Sequence, residues 1–166
     1  MFATASSRQS LVTTGLTSES YIVQRTYEQA VSTTRRALSK QGFQILRECD
    51  IGSLRTREAV KEVRNCRLLF VAKPLLLLRA VLVDPSAALW LPVPVVVADE
   101  TVFTRVLFPL EAIVRDRACL LGIGDSVQNL YASLSAAVQT IGDRDGDDES
   151  HSDLQGVSSA HVYTYD

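Results

Sequence analysis

A chain of 166 residues, 46% hydrophobic and 22% charged, has the proportions of one globular domain, long enough to bury a core without disulfides or a structural metal. Three cysteines with no CxxC spacing argue against a disulfide framework and read as reduced thiols in the cytoplasm. The net charge of −2 is uneven: residues 143–166 carry −6 and the other 142 residues +4, too weak a field for a dedicated nucleic-acid binder.

The opening 19 residues are rich in Ser and Thr, with Arg8 as their one basic residue and no apolar signal core, and read as a flexible leader. Ser20 to Arg25 predicts a strand with Tyr21 and Val23 on one face. Thr26 followed by Gln29 fits a capping box, and Tyr27, Ala30, Val31, Thr34 and Leu38 recur at helical spacing until Gly42. Phe43, Ile45, Cys49 and Ile51 alternate with Gln44, Leu46, Glu48 and Asp50, which predicts a second strand with those two sets on opposite faces. Gly52 and Ser53 turn the chain into a short polar helix over Leu54 to Val63.

The run from Leu68 to Ala98 is interrupted by only Lys73, Arg79 and Asp84, and it holds four of the five prolines. A membrane span needs about 20 apolar residues in one helix, and the prolines forbid that helix. The run therefore divides into a strand at Cys66 to Ala72, a helix opened by Pro74 and a strand at Leu89 to Ala98. Leu75 to Val83 is apolar on nearly all sides, so the helix is expected to be buried. Pro92 and Pro94 cannot donate to a ladder, which predicts an edge or a bulge there. Val102 to Phe108 returns as a hairpin partner. Residues 109–124 are ambiguous, a short helix around Leu110 to Val114 being one alternative. Asp125 then caps a helix whose stripe is Val127, Leu130, Tyr131, Leu134, Ala137, Val138 and Ile141. The acidic tail from residue 143 reads as disordered. The expected fold is α+β: an antiparallel or mixed sheet of about five strands in a single domain over 20–142, with helices mainly on one face.

Three segments carry a family resemblance over about residues 21–141: SKQGFQIL at 39–46, LLFVAKPLLLLRAVLVDP at 68–85 and LWLPVPVVV at 89–97. Together they resemble the domain of unknown function 302 family. The resemblance implies a small α+β domain, often dimeric, with no established activity. It also implies frequent cysteines before the helix proline and after the Leu-Pro. Those positions hold Ala72 or Lys73 and Val93 here, so thiol or metal chemistry is not carried over.

Both histidines, His151 and His161, lie in the tail, which leaves a His-based triad or zinc site without its ligand in the domain. Gly122-Ile123-Gly124 before a helix lacks the rest of a phosphate-binding glycine motif, and a plain turn is the simpler reading. The alternating acids of the tail miss the Gly and Glu of a calcium loop. Five residues form the ligand-binding candidates: Lys73, Arg79, Trp90, Arg105 and Cys66. Lys73 and Arg79 lie six apart and so are not expected on one helical face, but Lys73 stands at a strand-to-helix junction, where Trp90 and Arg105 are able to complete a pocket for an anionic, partly apolar molecule. The structural alternative is that the cations run their stems along the surface and Trp90 fills the core. Cys66 lies between Arg64 and Arg67, which can lower a thiol pKa, against the plainer role of a small core residue. These observations favour a cytoplasmic, non-enzymatic domain that forms a homodimer through the apolar strand at Leu89 to Val97 and binds a small ligand. The reading includes no cofactor, metal, nucleic acid or membrane span. The rival is an enzyme with Cys66 or Lys73 as nucleophile, and a third reading docks the acidic tail on a basic partner.

Overall fold

The structure, a computed structural model, describes residues 12–14, 17–54 and 64–142. Six strands, β1 (Val12–Thr14), β2 (Ser18–Val23), β3 (Gln44–Asp50), β4 (Cys66–Ala72), β5 (Val93–Asp99) and β6 (Thr104–Pro109), form one sheet in the order β1-β2-β6-β5-β4-β3. Every pairing is antiparallel. Four helices, α1 (Tyr27–Lys40), α2 (Pro74–Val83), α3 (Ala112–Leu120) and α4 (Gly124–Gly142), complete an α+β domain. The helix expected over Leu54 to Val63, apart from Leu54 at the end of a 3-10 turn over Ile51–Leu54, and the acidic tail lie outside the described residues.

Local chemistry accounts for most boundaries. Thr26 accepts a hydrogen bond from the Gln29 amide while the Gln29 side chain accepts one from the Thr26 amide, closing the capping box of α1. Pro74 opens α2 as its first residue, where the missing N–H costs nothing. The hairpin turn after β5 closes with the Glu100 amide donating to the Phe103 carbonyl, and β6 begins at Thr104, two residues after the expected Val102. The α4 stripe is buried throughout, from Val127 to Ile141, and packs on α1, α3 and β2.

Five expectations change. Val12–Thr14, placed in the leader, pairs with Glu19–Tyr21 and adds a sixth strand. The ambiguous stretch after Pro109 contains α3, held by Val114 and Ala118 against α4. The apolar strand over Leu89 to Val97 is not an edge, because β5 lies between β4 and β6. Its Pro94 is tolerated there because β6 pairs only from Val96 onward, leaving that end of β5 with a partner on one side. Nor is α2 buried all round: only Leu76 and Ala80 are buried, while Leu75, Leu78, Leu82 and Val83 are exposed.

The last change concerns β3. A bulge between Ile45 and Arg47 shifts the alternation by one. Ile45 stands opposite Val71 on the helix-covered face, whereas Cys49 stands opposite Leu68 on the other. Glu48 and Asp50 thereby turn toward the helices, opposite Leu69 and Arg67. Arg35 of α1 pairs with Glu48, and Arg67 bridges Glu48 at 3.0 Å and Asp50 at 3.2 Å. These cations hold the Glu48 carboxyl below its ordinary pKa, chiefly through the Arg35 hydrogen bond.

The two faces of the sheet differ in consequence. Tyr21, Val23, Leu69, Val71, Val93, Val95, Val97, Val106 and Phe108 are buried on the helix side. Ile22, Leu68, Phe70, Val96 and Leu107 alternate with them and are only partly buried. No described helix covers that second face.

Candidate functional site

Where β4 meets α2, the chain crosses the ends of α1 and α4 and leaves an open cleft of about 440 Å³. Gln41 and Gly42 come from the end of α1, Lys73 to Leu76 and Arg79 from the start of α2, and Ser126, Asn129 and Leu130 from α4. Its size is that of a small-molecule site. Leu76 and Leu130 supply buried apolar surface beside the polar rim.

Lys73 is placed by its backbone. It is the extended N-cap of α2, which directs its side chain across to α4 rather than along its own helix. Its Nζ donates to Ser133 Oγ at 2.8 Å and lies 5.3 Å from the centre of the Phe43 ring. Ser133 in turn donates to the Asn129 carbonyl, so the hydroxyl is locked as the acceptor for Lys73. An ammonium has three donors, and Ser133 occupies one. Arg79 joins from the second turn of α2, exposed and without a hydrogen bond or ion pair among the described residues. Two cations six residues apart thus share one opening.

The other three sequence candidates are elsewhere. Cys66 and Arg105 occupy one cross-strand row, Cys66–Ala98–Arg105–Ile22, on the sheet face away from the helices. Arg105 is committed to Glu100 at 3.7 Å and to the Phe103 ring at 5.6 Å. Burial pushes the Cys66 thiol pKa up, and the Asp50 charge adds to the rise, the opposite of what a nucleophile needs. The arginines beside it in sequence do not help, since Arg64 pairs with Glu100 and Arg67 with Glu48 and Asp50. Trp90 ends a 3-10 turn over Pro85–Leu89 and packs on the core instead of lining the cleft.

Several lining residues were not among the candidates: Gln41, Ser126, Asn129 and, behind them, Ser133. The last three recur at i, i+3 and i+7 on the polar side of α4, a spacing that puts them on one face. That row was the available signal. Gly122-Ile123-Gly124 is structural: Gly122 adopts φ +69°, and a Cβ on Gly124 would meet Cys119 Sγ at 2.9 Å. Among the described residues no cluster of three His, Cys, Asp or Glu side chains is arranged to hold a metal, and no helix is long and apolar enough to cross a membrane.

The sequence profile of the domain of unknown function DUF302 matches residues 19–141. The chain belongs to the DUF302 family. Its fold is similar to that of an uncharacterized conserved DUF302 protein from Bacillus stearothermophilus, with a TM-score of 0.66 over 75% of this chain and 97% of that one, at 14% identity. No curated protein matches. In this DUF302 domain, the positions where the resemblance implied cysteines, Ala72–Lys73 and Val93, lie at adjoining ends of the paired strands β4 and β5 and bear no thiol.

Proposed function

We propose that this DUF302 domain binds a small anionic, partly apolar molecule in the α1–α2–α4 cleft, with Lys73 and Arg79 as its charged contacts. The observation that carries this reading is their convergence on one opening over apolar Leu76 and Leu130. Lys73 is preorganised by Ser133 and Phe43, so holding an anion costs it little further side-chain entropy. Hexyl phosphate, an anion on a short alkyl chain, is a suitable probe in a calorimetric titration. Lys73→Gln and Arg79→Gln are each expected to weaken its binding about tenfold or more, or about 1.4 kcal/mol. Wild-type affinity in both variants sinks the assignment.

A second reading, self-association, rests on a separate observation. The uncovered sheet face presents Leu68, Phe70, Val96 and Leu107 side by side on adjacent strands. In this reading copies pair face to face there, not through the edge of β5. Sedimentation at micromolar concentration is expected to give a dimer that Leu68→Glu dissociates. A wild-type monomer removes this reading and leaves the cleft untouched.

A further inference from the structure

The walls of the cleft are of three kinds. Lys73 and Arg79 bring positive charge, and Leu76 and Leu130 bring apolar surface. The third kind is neutral and polar: Gln41 at the end of α1, and Ser126 and Asn129 on α4. Among the described residues nothing hydrogen-bonds to these three side chains, although the backbone amide of Gln41 and the backbone carbonyl of Asn129 are engaged. Their neighbour Ser133 differs, since its hydroxyl both accepts from Lys73 and donates to the Asn129 carbonyl. A carboxamide and a hydroxyl each donate and accept. Ionised phosphate and carboxylate oxygens only accept, and an alkyl chain does neither. A ligand hydroxyl answers both capacities.

We propose that the cleft ligand is a hydroxylated anion of the sugar phosphate class, an assignment that rests on the cleft reading above and narrows it. Lys73 keeps two ammonium hydrogens after Ser133, and the Arg79 guanidinium has no partner among the described residues, donors enough for a phosphate dianion. Gln41, Ser126 and Asn129 exchange hydrogen bonds with the ring hydroxyls, while the C–H groups of the ring rest on Leu76 and Leu130. An alkyl chain in the same place would displace water from the three polar side chains and return no hydrogen bond. Asp125, next to Ser126 in the first turn of α4, disfavours a second anionic group at that end. At about 440 Å³ the opening admits a single ring with its phosphate.

Calorimetric titration of the full chain with glucose 6-phosphate and with hexyl phosphate tests the assignment, both being phosphate esters on a six-carbon frame. Glucose 6-phosphate is expected to bind about tenfold or more tighter, because only it answers the polar wall. The double variant Gln41→Ala/Asn129→Ala is expected to lose about tenfold in affinity for the sugar phosphate, the effect of two neutral hydrogen bonds, and to hold hexyl phosphate within about twofold of wild type. Its helical circular dichroism is expected to match wild type, since both side chains are exposed. Equal or tighter wild-type binding of hexyl phosphate overturns the proposal and leaves the broader cleft reading intact. Undiminished sugar phosphate binding by the double variant overturns it too, as does an equal loss for both probes, which marks a general disturbance of the cleft. Binding of neither probe removes the cleft reading and this assignment with it.

Discussion

Leu134→Ala is expected to destabilise the domain by about 3 kcal/mol, within the range for emptying a fully buried leucine site. Leu134 is 0% exposed, in the middle of the α4 stripe that packs against α1 and β2. Truncation removes apolar burial and leaves a cavity among neighbours held by a sheet and a second helix, which limits collapse. Urea unfolding measures the loss as a lower midpoint at unchanged slope. Leu120→Ala is the control: Leu120 is 87% exposed, and its variant is expected to stay within about 0.5 kcal/mol of wild type. A loss below about 1 kcal/mol in Leu134→Ala contradicts the placement of α4.

Alkaline solution should expose a second large effect. The Tyr131 phenol is pushed from the usual 10.0 up to about 12, first by burial and then by the charges of Glu111 and Glu19. The folded state therefore favours the neutral phenol. That preference costs nothing below pH 10.0, and stability is lost as the pH climbs from there through about 12. The rise from 10.0 to about 12, discounted for partial screening by solvent, corresponds to about 2 kcal/mol. Tyr131→Phe is expected to flatten this alkaline fall. A shallower slope remains, since Tyr21 and Tyr27 are shifted upward by burial as well. Denaturation midpoints between about pH 8 and about pH 11.5 test it, and identical slopes for the two proteins would falsify it.

Features written in local pattern were legible in the sequence. The capping box at Thr26 and Gln29, Pro74 at the start of α2, and the seven-residue stripe of α4 each depend on neighbours within a few positions. Features set by distant partners were not. Whether β5 is an edge depends on where β6 and β4 lie, and its own valines read the same in either case. The α2 sequence, apolar at every position but Arg79, has no phase from which to tell its outward side from its inward one. Alternation in β3 was visible, but a one-residue bulge moved Cys49 and Glu48 to the faces opposite those expected. The lining of the cleft was legible in half. Lys73 stood out because it interrupts an apolar run, yet its partner Ser133 lies 60 residues away on a helix whose polar side looked like ordinary surface. Arg105 and Cys66 do not join Lys73, because β-pairing carries them to the other face of the sheet.

The bulge in β3 bears on how copies of this chain are kept from fusing into fibres. Growth by strand addition needs a long, straight, unpaired border on which another chain can lay its backbone. One border of this sheet is β1, three residues long, and the other is β3, kinked at Ile45 and Arg47 with an exposed arginine at the kink. The two strands richest in valine, leucine and phenylalanine, β4 and β5, each have neighbours on both sides. Amyloid-type templating by those segments thus requires the domain to open first, and its rate should track the population of unfolded chain rather than the concentration of native protein.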